Sequence, residues 1–210
     1  MPTPAASVDS SRFYLLRHGQ SEANVKKLIA SSLAAAGEAY GLTDAGCSQV
    51  LVSVIAARAD GTLPTSCGVV SSPLLRARET AVIAAEALGT TVRVDARLAE
   101  RGFGEFELGP DEHYERIWAE DRANPAHERW GVESVTSILR RVTTLLHELQ
   151  SSDAAAAFLL CTHGDVASVL LCATQGLPLA KHRDVGAMAN GEVRRIGPAL
   201  SGGLSGLLKE

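Results

Sequence analysis

Short apolar runs alternate along this chain with longer segments in which apolar residues recur at helical spacing. The runs FYLL, CGVVSS, TVRV and AAFLLCT predict strands, and GEVRRI predicts a last one near the carboxyl end. Strands that are covered by helices on both faces are largely apolar, as most of these runs are. The alternation therefore predicts an α/β fold with three layers, α/β/α, around a mostly parallel central sheet.

Four helices are predicted beside these strands. They cover LTDAGCSQVLVSVIAARA with Thr43 as N-cap, PLLRARETAVIAAEAL with Pro73 in its first turn, ESVTSILRRVTTLLHELQ, and DVASVLLCATQG, which ends at Gly176. The Gly-rich connector ERGFGEFELGP opens the least regular part of the chain. We expect one domain over residues 12–197, with a flexible segment before it (1–11) and a Gly- and Leu-rich tail after it (198–210).

Composition and charge limit the partners. The chain has 210 residues, 46% of them hydrophobic, and a formal net charge of −4, so no global charge favours nucleic acid or an acidic membrane. The start MPTPAASVDSS lacks the pattern of a signal peptide, and we expect a cytoplasmic protein. Four isolated cysteines without a CxxC pair predict buried free thiols rather than a zinc site or disulfides.

Polar groups follow three of the predicted strands. FYLL runs into RHG, CGVV into SSPLLR, and FLLC into THG. Because ligands of parallel sheets bind where the strands deliver their carboxyl ends, neighbouring strands would bring Arg17, His18, Arg76 and His163 to one point. Two guanidiniums and two imidazoles beside helix N-termini would form a pocket for a compact dianion such as a phosphoryl group.

Each of these residues also has an ordinary structural interpretation. A lone arginine at a strand end is usually a solvated cap, and a lone histidine is usually a hydrogen-bonded structural residue. The His-Gly pair, however, follows a strand twice, at His18 and at His163. A glycine after each histidine would let the backbone approach a ligand closely, which favours the functional interpretation.

Four segments occur in an order that resembles one protein family. LLRHGQSEAN, VVSSPLLRARETA, LAERGFGEFELG and LLCTHGDVAS together resemble the histidine phosphatase superfamily, which includes cofactor-dependent phosphoglycerate mutase. The similarity spans the chain from Arg12 to about Ile196. It implies a phosphoglycerate mutase-like fold and phosphoryl transfer through a phosphohistidine.

The resemblance also implies residue roles. His18 would accept the phosphoryl group, Glu100 would be the proton donor, and Arg17, Arg76 and His163 would bind the phosphoryl oxygens. The substrate-binding residues that it implies are Asn24, Gln20, Ser21, Arg101 and Gly164.

The chemistry of these residue types supports the main roles independently. A fixed set of cations stabilises the charge that spreads over a transferring phosphoryl group. His18 must present a neutral nitrogen, which requires that its other ring nitrogen donate to an acceptor such as a backbone carbonyl. Glu100 needs a pKa raised by burial or by nearby negative charge. Glu105 and Glu107 are near enough in sequence to compete for that role.

No metal and no other cofactor are expected. Two histidines and a glutamate resemble a ligand set, but zinc would be disfavoured beside Arg17 and Arg76. The other histidines are interpreted as surface or structural residues: His113, His127, His147 and His182.

The expected function is that of a metal-independent phosphatase that hydrolyses a small phosphorylated metabolite through a phosphohistidine, and two alternatives stay open. The expected partner is accordingly a small phosphorylated substrate. The short segment from Gly109 to Val132 favours a phosphatase, whereas Arg101 directly after Glu100 matches a mutase pattern, which would make the protein an isomerase. A non-catalytic phosphate-binding regulatory module is the third possibility. Lys26 and Lys27 could meet a second anionic group, although solvated lysines are the simpler interpretation. The sequence gives neither the substrate nor the oligomeric state.

Overall fold

A computed structural model describes residues 8–151 and 157–197 of the chain. Its five strands form one sheet in the order β3-β2-β4-β1-β5. Their bounds are β1 Phe13–Arg17, β2 Cys67–Ser71, β3 Val92–Val94, β4 Ala157–Thr162 and β5 Val193–Arg195. Only β5 is antiparallel to its neighbour, β1. The predicted α/β class and mostly parallel sheet are confirmed.

Seven α-helices accompany the sheet within the described residues. They are α1 Glu22–Val25, α2 Leu33–Ala36, α3 Asp44–Ala59, α4 Leu75–Leu88, α5 His113–Ala123, α6 Val135–Ser151 and α7 Gly164–Thr174. The predicted N-cap of α3 is confirmed, because the Thr43 side chain accepts a hydrogen bond from the Gly46 amide. No helix among the described residues has the length and hydropathy that crossing a bilayer requires.

Alternation along β1 shows why the sheet has two covered faces. Phe13 and Leu15 belong to the core that contains buried side chains of α6 and α7. Tyr14 and Leu16 belong to the opposite core, which contains side chains of α3 and α4. Successive side chains of a strand point to opposite faces, so one buried strand serves both cores. The result is the three-layer arrangement that the sequence predicts.

The position of β4 between β1 and β2 brings three strand ends together. In the register of the sheet Arg17 is paired with Thr162, and Ser71 is paired with Cys161. The His18 amide then donates to the Thr162 carbonyl at 3.0 Å, and the Ser72 amide to the Cys161 carbonyl at 2.9 Å. The loops that follow β1, β2 and β4 therefore leave the sheet side by side, as the candidate site requires.

Several local expectations differ from the structure. Pro73 precedes α4 instead of lying in its first turn, because the helix begins at Leu75. The segment after the Gly-rich connector contains α5, although its sequence predicts irregular structure. Cys47 is exposed, whereas the other three cysteines are buried and also free. The buried residues of α3 are Gly46, Val50, Val54 and Ala57, and Cys47 lies outside this row.

The expected terminal segments are described only in part. Residues 1–7 and the whole expected tail, 198–210, lie outside the described residues. Within the expected flexible segment 1–11, Val8 is buried in the core beside α6, and the Asp9 amide donates to the Gln150 side chain at 2.6 Å. These contacts attach residues 8 and 9 to the domain.

Candidate active site

Arg76 joins the two histidines that follow strands. From the first turn of α4, its Nε donates to His18 Nε2 at 3.1 Å, and its Nη2 lies 3.2 Å from His163 Nδ1. The two imidazole ring centroids are 5.1 Å apart. All three side chains are buried. The structure therefore brings together, at one point, residues that are far apart in sequence.

The tautomer of His18 follows from its two contacts. Nδ1 lies 2.8 Å from the carbonyl oxygen of Gly19, which can only accept, so Nδ1 carries the proton. Nε2 accepts from Arg76 and holds the lone pair. Burial, followed by the charges of Arg76 and Arg17, places the pKa of His18 well below its ordinary value. His18 is thus a neutral imidazole with Nε2 as a potential nucleophile.

Two buried guanidinium nitrogens lack a hydrogen-bond partner within residues 8–151 and 157–197. They are Nε of Arg17 and Nη1 of Arg76. Arg17 is anchored through Nη1, which donates to the Met188 carbonyl. Both arginines line a cavity of about 250 Å³ that also includes His18. An unpaired buried donor is costly, so these nitrogens favour an anionic oxygen in the cavity.

His163 lies at the back of this group, fully buried at the start of α7. Its Nε2 lies 2.7 Å from the Ser72 hydroxyl, and its Nδ1 faces Arg76. Burial and the charge of Arg76 hold its pKa well below the ordinary value. His163 is not among the residues that line the cavity, and its expected contact with a phosphoryl oxygen stays a prediction.

Glu100 is one of the acidic residues that line the cavity. Its Oε1 accepts from the Arg101 amide at 2.9 Å, and the residue lines the cavity. Burial, then the charge of Asp165, raises the pKa of Glu100 to about 7. A carboxyl with this pKa can both release and accept a proton near neutrality, which suits a general acid and base.

The two competing glutamates are placed elsewhere. Glu105 is exposed. Glu107 accepts from the amides of Ser31 and Ser32 at 2.8 and 2.9 Å, and so holds that loop. Neither is among the residues that line the cavity. The geometry therefore favours Glu100 over both for proton transfer.

Three of the five expected substrate-binding residues line the cavity: Ser21, Asn24 and Gly164. Ser21 caps α1, and Asn24 Oδ1 accepts from the Ser21 amide at 3.0 Å and from Asn190 Nδ2 at 3.3 Å. Gln20 is not among the lining residues, because its side-chain oxygen accepts from the Thr43 hydroxyl at 2.9 Å. This contact turns Gln20 towards α3.

Arg101 differs most from its expected place beside the substrate. It is 0% exposed, does not line the cavity, and makes two hydrogen bonds to the Asp121 carboxylate at 2.7 and 2.8 Å. A buried guanidinium requires a paired carboxylate, and α5 supplies one that the sequence reading did not consider. Arg101 therefore connects α5 to the loop that carries Glu100.

The buried pair predicts a large stability effect. Arg101→Met should lower the free energy of unfolding by about 3–5 kcal/mol, because it leaves the Asp121 charge buried with less compensation. The exposed pair between Arg129 and Glu120, at 3.0 Å, offers a matched control. Arg129→Met should cost no more than about 1 kcal/mol. Urea unfolding of both variants measures the difference, and equal losses would contradict the structural role of Arg101.

The glycine after His18 has a reason that the sequence did not suggest. A Cβ on Gly19 would lie 2.4 Å from the carbonyl oxygen of Gly46, at the start of α3. The missing side chain allows the backbone to approach that helix, rather than a ligand. At Gly164 a Cβ would lie 3.7 Å from the side chain of Arg17, which is an ordinary van der Waals contact. The packing around Gly164 therefore does not require a glycine.

The residues along one wall of the cavity were not predicted from the sequence. Asp165, Tyr114, Trp118, Ser168 and Arg183 all line it. The rings of Tyr114 and Trp118 stack at 5.2 Å, and the Arg183 guanidinium carbon lies 3.8 Å from the Trp118 ring centroid. Asp165 directly follows the THG motif, so its position in the sequence could have predicted that it lies at the site. Tyr114 and Trp118 reach the site only because α5 packs beside it.

The remaining residues with expected roles are structural or exposed. His127 is buried, with Nε2 2.9 Å from an oxygen of Asp121, and His182 is buried with Nε2 3.7 Å from the other oxygen. Lys26 and Lys27 are exposed and do not line the cavity. Over the described ranges, no cluster of three or more His, Cys, Asp or Glu has a geometry that could hold a metal ion.

Comparisons with known proteins identify one family. The family description "histidine phosphatase superfamily (branch 1)" matches residues 13–203. A glucosyl-3-phosphoglycerate phosphatase of Mycobacterium tuberculosis strain H37Rv is 30% identical over 194 residues, which cover 85% of this chain and 82% of that protein.

Solved structures agree with this similarity. A mycobacterial glucosyl-3-phosphoglycerate phosphatase in complex with VO3 has a TM-score of 0.72 at 27% identity, covering 86% of this chain and 90% of that one. The alpha-ribazole phosphatase from Shigella flexneri has a TM-score of 0.65 at 22% identity, covering 86% and 87% of the two chains, and shows the shared fold alone.

Proposed function

The chain belongs to branch 1 of the histidine phosphatase superfamily, and from that premise we propose that it hydrolyses phosphomonoesters without a metal ion, through a phosphohistidine on His18. The observation that carries this proposal is the neutral His18, whose Nε2 lone pair faces Arg76 beside two unpaired guanidinium donors. A nucleophile and a binding site for phosphoryl oxygens thus occupy one cavity. The family predicted from the sequence is confirmed.

In the first step His18 Nε2 attacks phosphorus, and the bond between phosphorus and the ester oxygen breaks. Arg17 Nε and Arg76 Nη1 donate to the phosphoryl oxygens, on which the charge spreads in the transition state. Glu100 gives its proton to the departing oxygen, so that the leaving group departs as an alcohol. The Gly19 carbonyl, which accepts from Nδ1, stabilises the positive charge that develops on the imidazole.

In the second step water attacks the phosphohistidine. Glu100, now ionised, removes a proton from the water while the bond between phosphorus and Nε2 breaks. Inorganic phosphate leaves, and His18 and Glu100 return to their starting protonation states. No co-reactant other than water is needed.

Hydrolysis is favoured over the mutase reaction by two observations. The Mycobacterium tuberculosis relative, at 30% identity, is named as a phosphatase. Arg101, the residue that suggested a mutase, is fully buried and paired with Asp121.

A screen of sugar phosphates, phosphoglycerates, nucleotides and phosphopeptides, with glucosyl-3-phosphoglycerate included, would identify the substrate. A parallel mutase assay with a phosphoglycerate should show no transfer between its hydroxyl groups.

Oxyanions should inhibit this enzyme without the help of a metal ion. Vanadate is expected to compete with an aryl phosphate substrate, because it can bind the cationic donors and approach the transition-state geometry at His18. A chelator should leave the rate unchanged. Steady-state kinetics with and without the chelator measure both effects. Loss of activity on chelation, with recovery on addition of zinc, would contradict the metal-free mechanism.

The aryl phosphate assay, together with a calorimetric binding measurement, distinguishes the enzyme from a non-catalytic phosphate-binding module. Such a module would bind phosphate or vanadate in a calorimeter but would release no nitrophenol from an aryl phosphate. Turnover that is abolished by vanadate would exclude the module.

A further inference from the structure

Asp165 and Glu100 line the same cavity and are linked through Arg101. The Arg101 amide donates to Glu100 Oε1 at 2.9 Å, and its guanidinium Nη1 lies 3.4 Å from Asp165 Oδ2. Asp165 comes from the first turn of α7, directly after the loop that carries His163. One residue therefore fixes both carboxyl groups relative to each other.

Asp165 is held as a carboxylate by three donors. Besides Arg101, the Trp118 indole donates to Oδ2 at 3.2 Å, and Arg183 Nη1 donates to Oδ1 at 3.0 Å. Asp165 is only 4% exposed. Both of its oxygens act as hydrogen-bond acceptors, and two of the three donors are guanidinium cations. The cavity thus contains a fixed negative charge in addition to Glu100.

We propose that Asp165 is a positioning residue that keeps Glu100 protonated until the leaving group departs. Two carboxyl groups that share one buried site do not readily ionise together, so a fixed charge on one retains the proton on the other. The inference rests on the proposed function, in which Glu100 donates the proton.

The cations around Asp165 offset its charge in part. Arg101 is shared with Asp121, to which it makes two hydrogen bonds, and among the described residues Arg183 is the cation that pairs with Asp165 without a second carboxylate. Asp165 is nevertheless the charge that raises the pKa of Glu100. His182, on the far side of Asp121, has a lowered pKa because of burial and adds no positive charge near neutrality.

The groups that face Glu100 shift its pKa in opposite directions. Burial raises its pKa most, and Asp165 is the charge with the largest effect in the same direction. The Arg101 amide, Arg76 and Arg17 lower it. Tyr114, on α5, stays neutral because burial and then Glu100 raise its pKa above the ordinary value. Without Asp165, the arginines would favour the ionised form of Glu100.

The test compares Asp165→Asn with the parent enzyme by two measurements. The carbon-13 signal of the Glu100 carboxyl, assigned by its loss in Glu100→Gln, should titrate about one pH unit lower in Asp165→Asn. The alkaline limb of kcat/KM for an alkyl phosphate should move to lower pH by the same amount. Asp165→Glu, which keeps the charge, should restore both values towards those of the parent.

Asp111→Asn is the matched control, because Asp111 also lines the cavity but has no hydrogen bond to Glu100 or Arg101 among the described residues. It should leave the Glu100 titration in place. An unchanged Glu100 titration in Asp165→Asn would overturn the inference. If the titration moved but the kinetic limb did not, Asp165 would keep its effect on Glu100, and Glu100 would lose its role as proton donor in the proposed function.

Discussion

His18→Ala is expected to lower kcat for any phosphomonoester by at least about 10⁴-fold, because removal of a covalent nucleophile disables both chemical steps. His163 is not expected to replace it, because His163 is not among the residues that line the cavity. The fold should remain intact, since within residues 8–151 and 157–197 the hydrogen bonds of the imidazole are those to the Gly19 carbonyl and Arg76. Steady-state kinetics and circular dichroism measure the two effects.

A trapping experiment identifies the modified residue directly. The parent enzyme, mixed with substrate and quenched, should carry a phosphoryl group that is labile in acid and stable in base, as expected for a phosphoramidate. Peptide mapping should place it on His18, and His18→Ala should trap none. Full activity in His18→Ala, or a phosphoryl group on another residue, would contradict the assignment.

The low pKa of His18 also predicts that the nucleophile stays neutral when the pH falls from 7 to 6.

Glu100→Gln is expected to separate substrates by their leaving group. Hydrolysis of an alkyl phosphate should slow by about 10²–10⁴-fold, the usual contribution of a general acid, because an alkoxide is a poor leaving group without a proton. Hydrolysis of nitrophenyl phosphate should slow far less, because nitrophenolate leaves unprotonated. The comparison of kcat/KM for the two substrates measures the effect.

The pH profile gives a second measurement of the same role. The pKa of Glu100 is raised to about 7, so the protonated acid is lost as the pH rises through that value. The rate with an alkyl phosphate should fall there in the parent enzyme, and Glu100→Gln should lack this limb. Glu105→Gln, at an exposed position, is the matched control and should change neither the limb nor the leaving-group dependence. A defect in Glu105→Gln alone would show that the sequence match of the connector is out of register.

Short-range physics explains what could be predicted from the sequence. Strand β1, the N-cap of α3 and helix α7 depend on apolar spacing and on hydrogen bonds between residues close in the chain. The positions of Arg17, His18 and His163 follow from them, because Arg17 is the last residue of β1 and each histidine comes directly after a strand. The demand that His18 donate through one ring nitrogen to a carbonyl is also local, since Gly19 supplies the acceptor.

The tertiary structure decided which residues share the cavity. The sequence did not give the order β2-β4-β1, which places Arg76 between His18 and His163. It also did not reveal that α5 supplies Asp121, which pairs with Arg101 and takes it out of the site. The environment that raises the pKa of Glu100 depends on burial and on Asp165. Desolvation and long-range charge pairing depend on distances in space, and these distances exist only once the helices pack on the sheet.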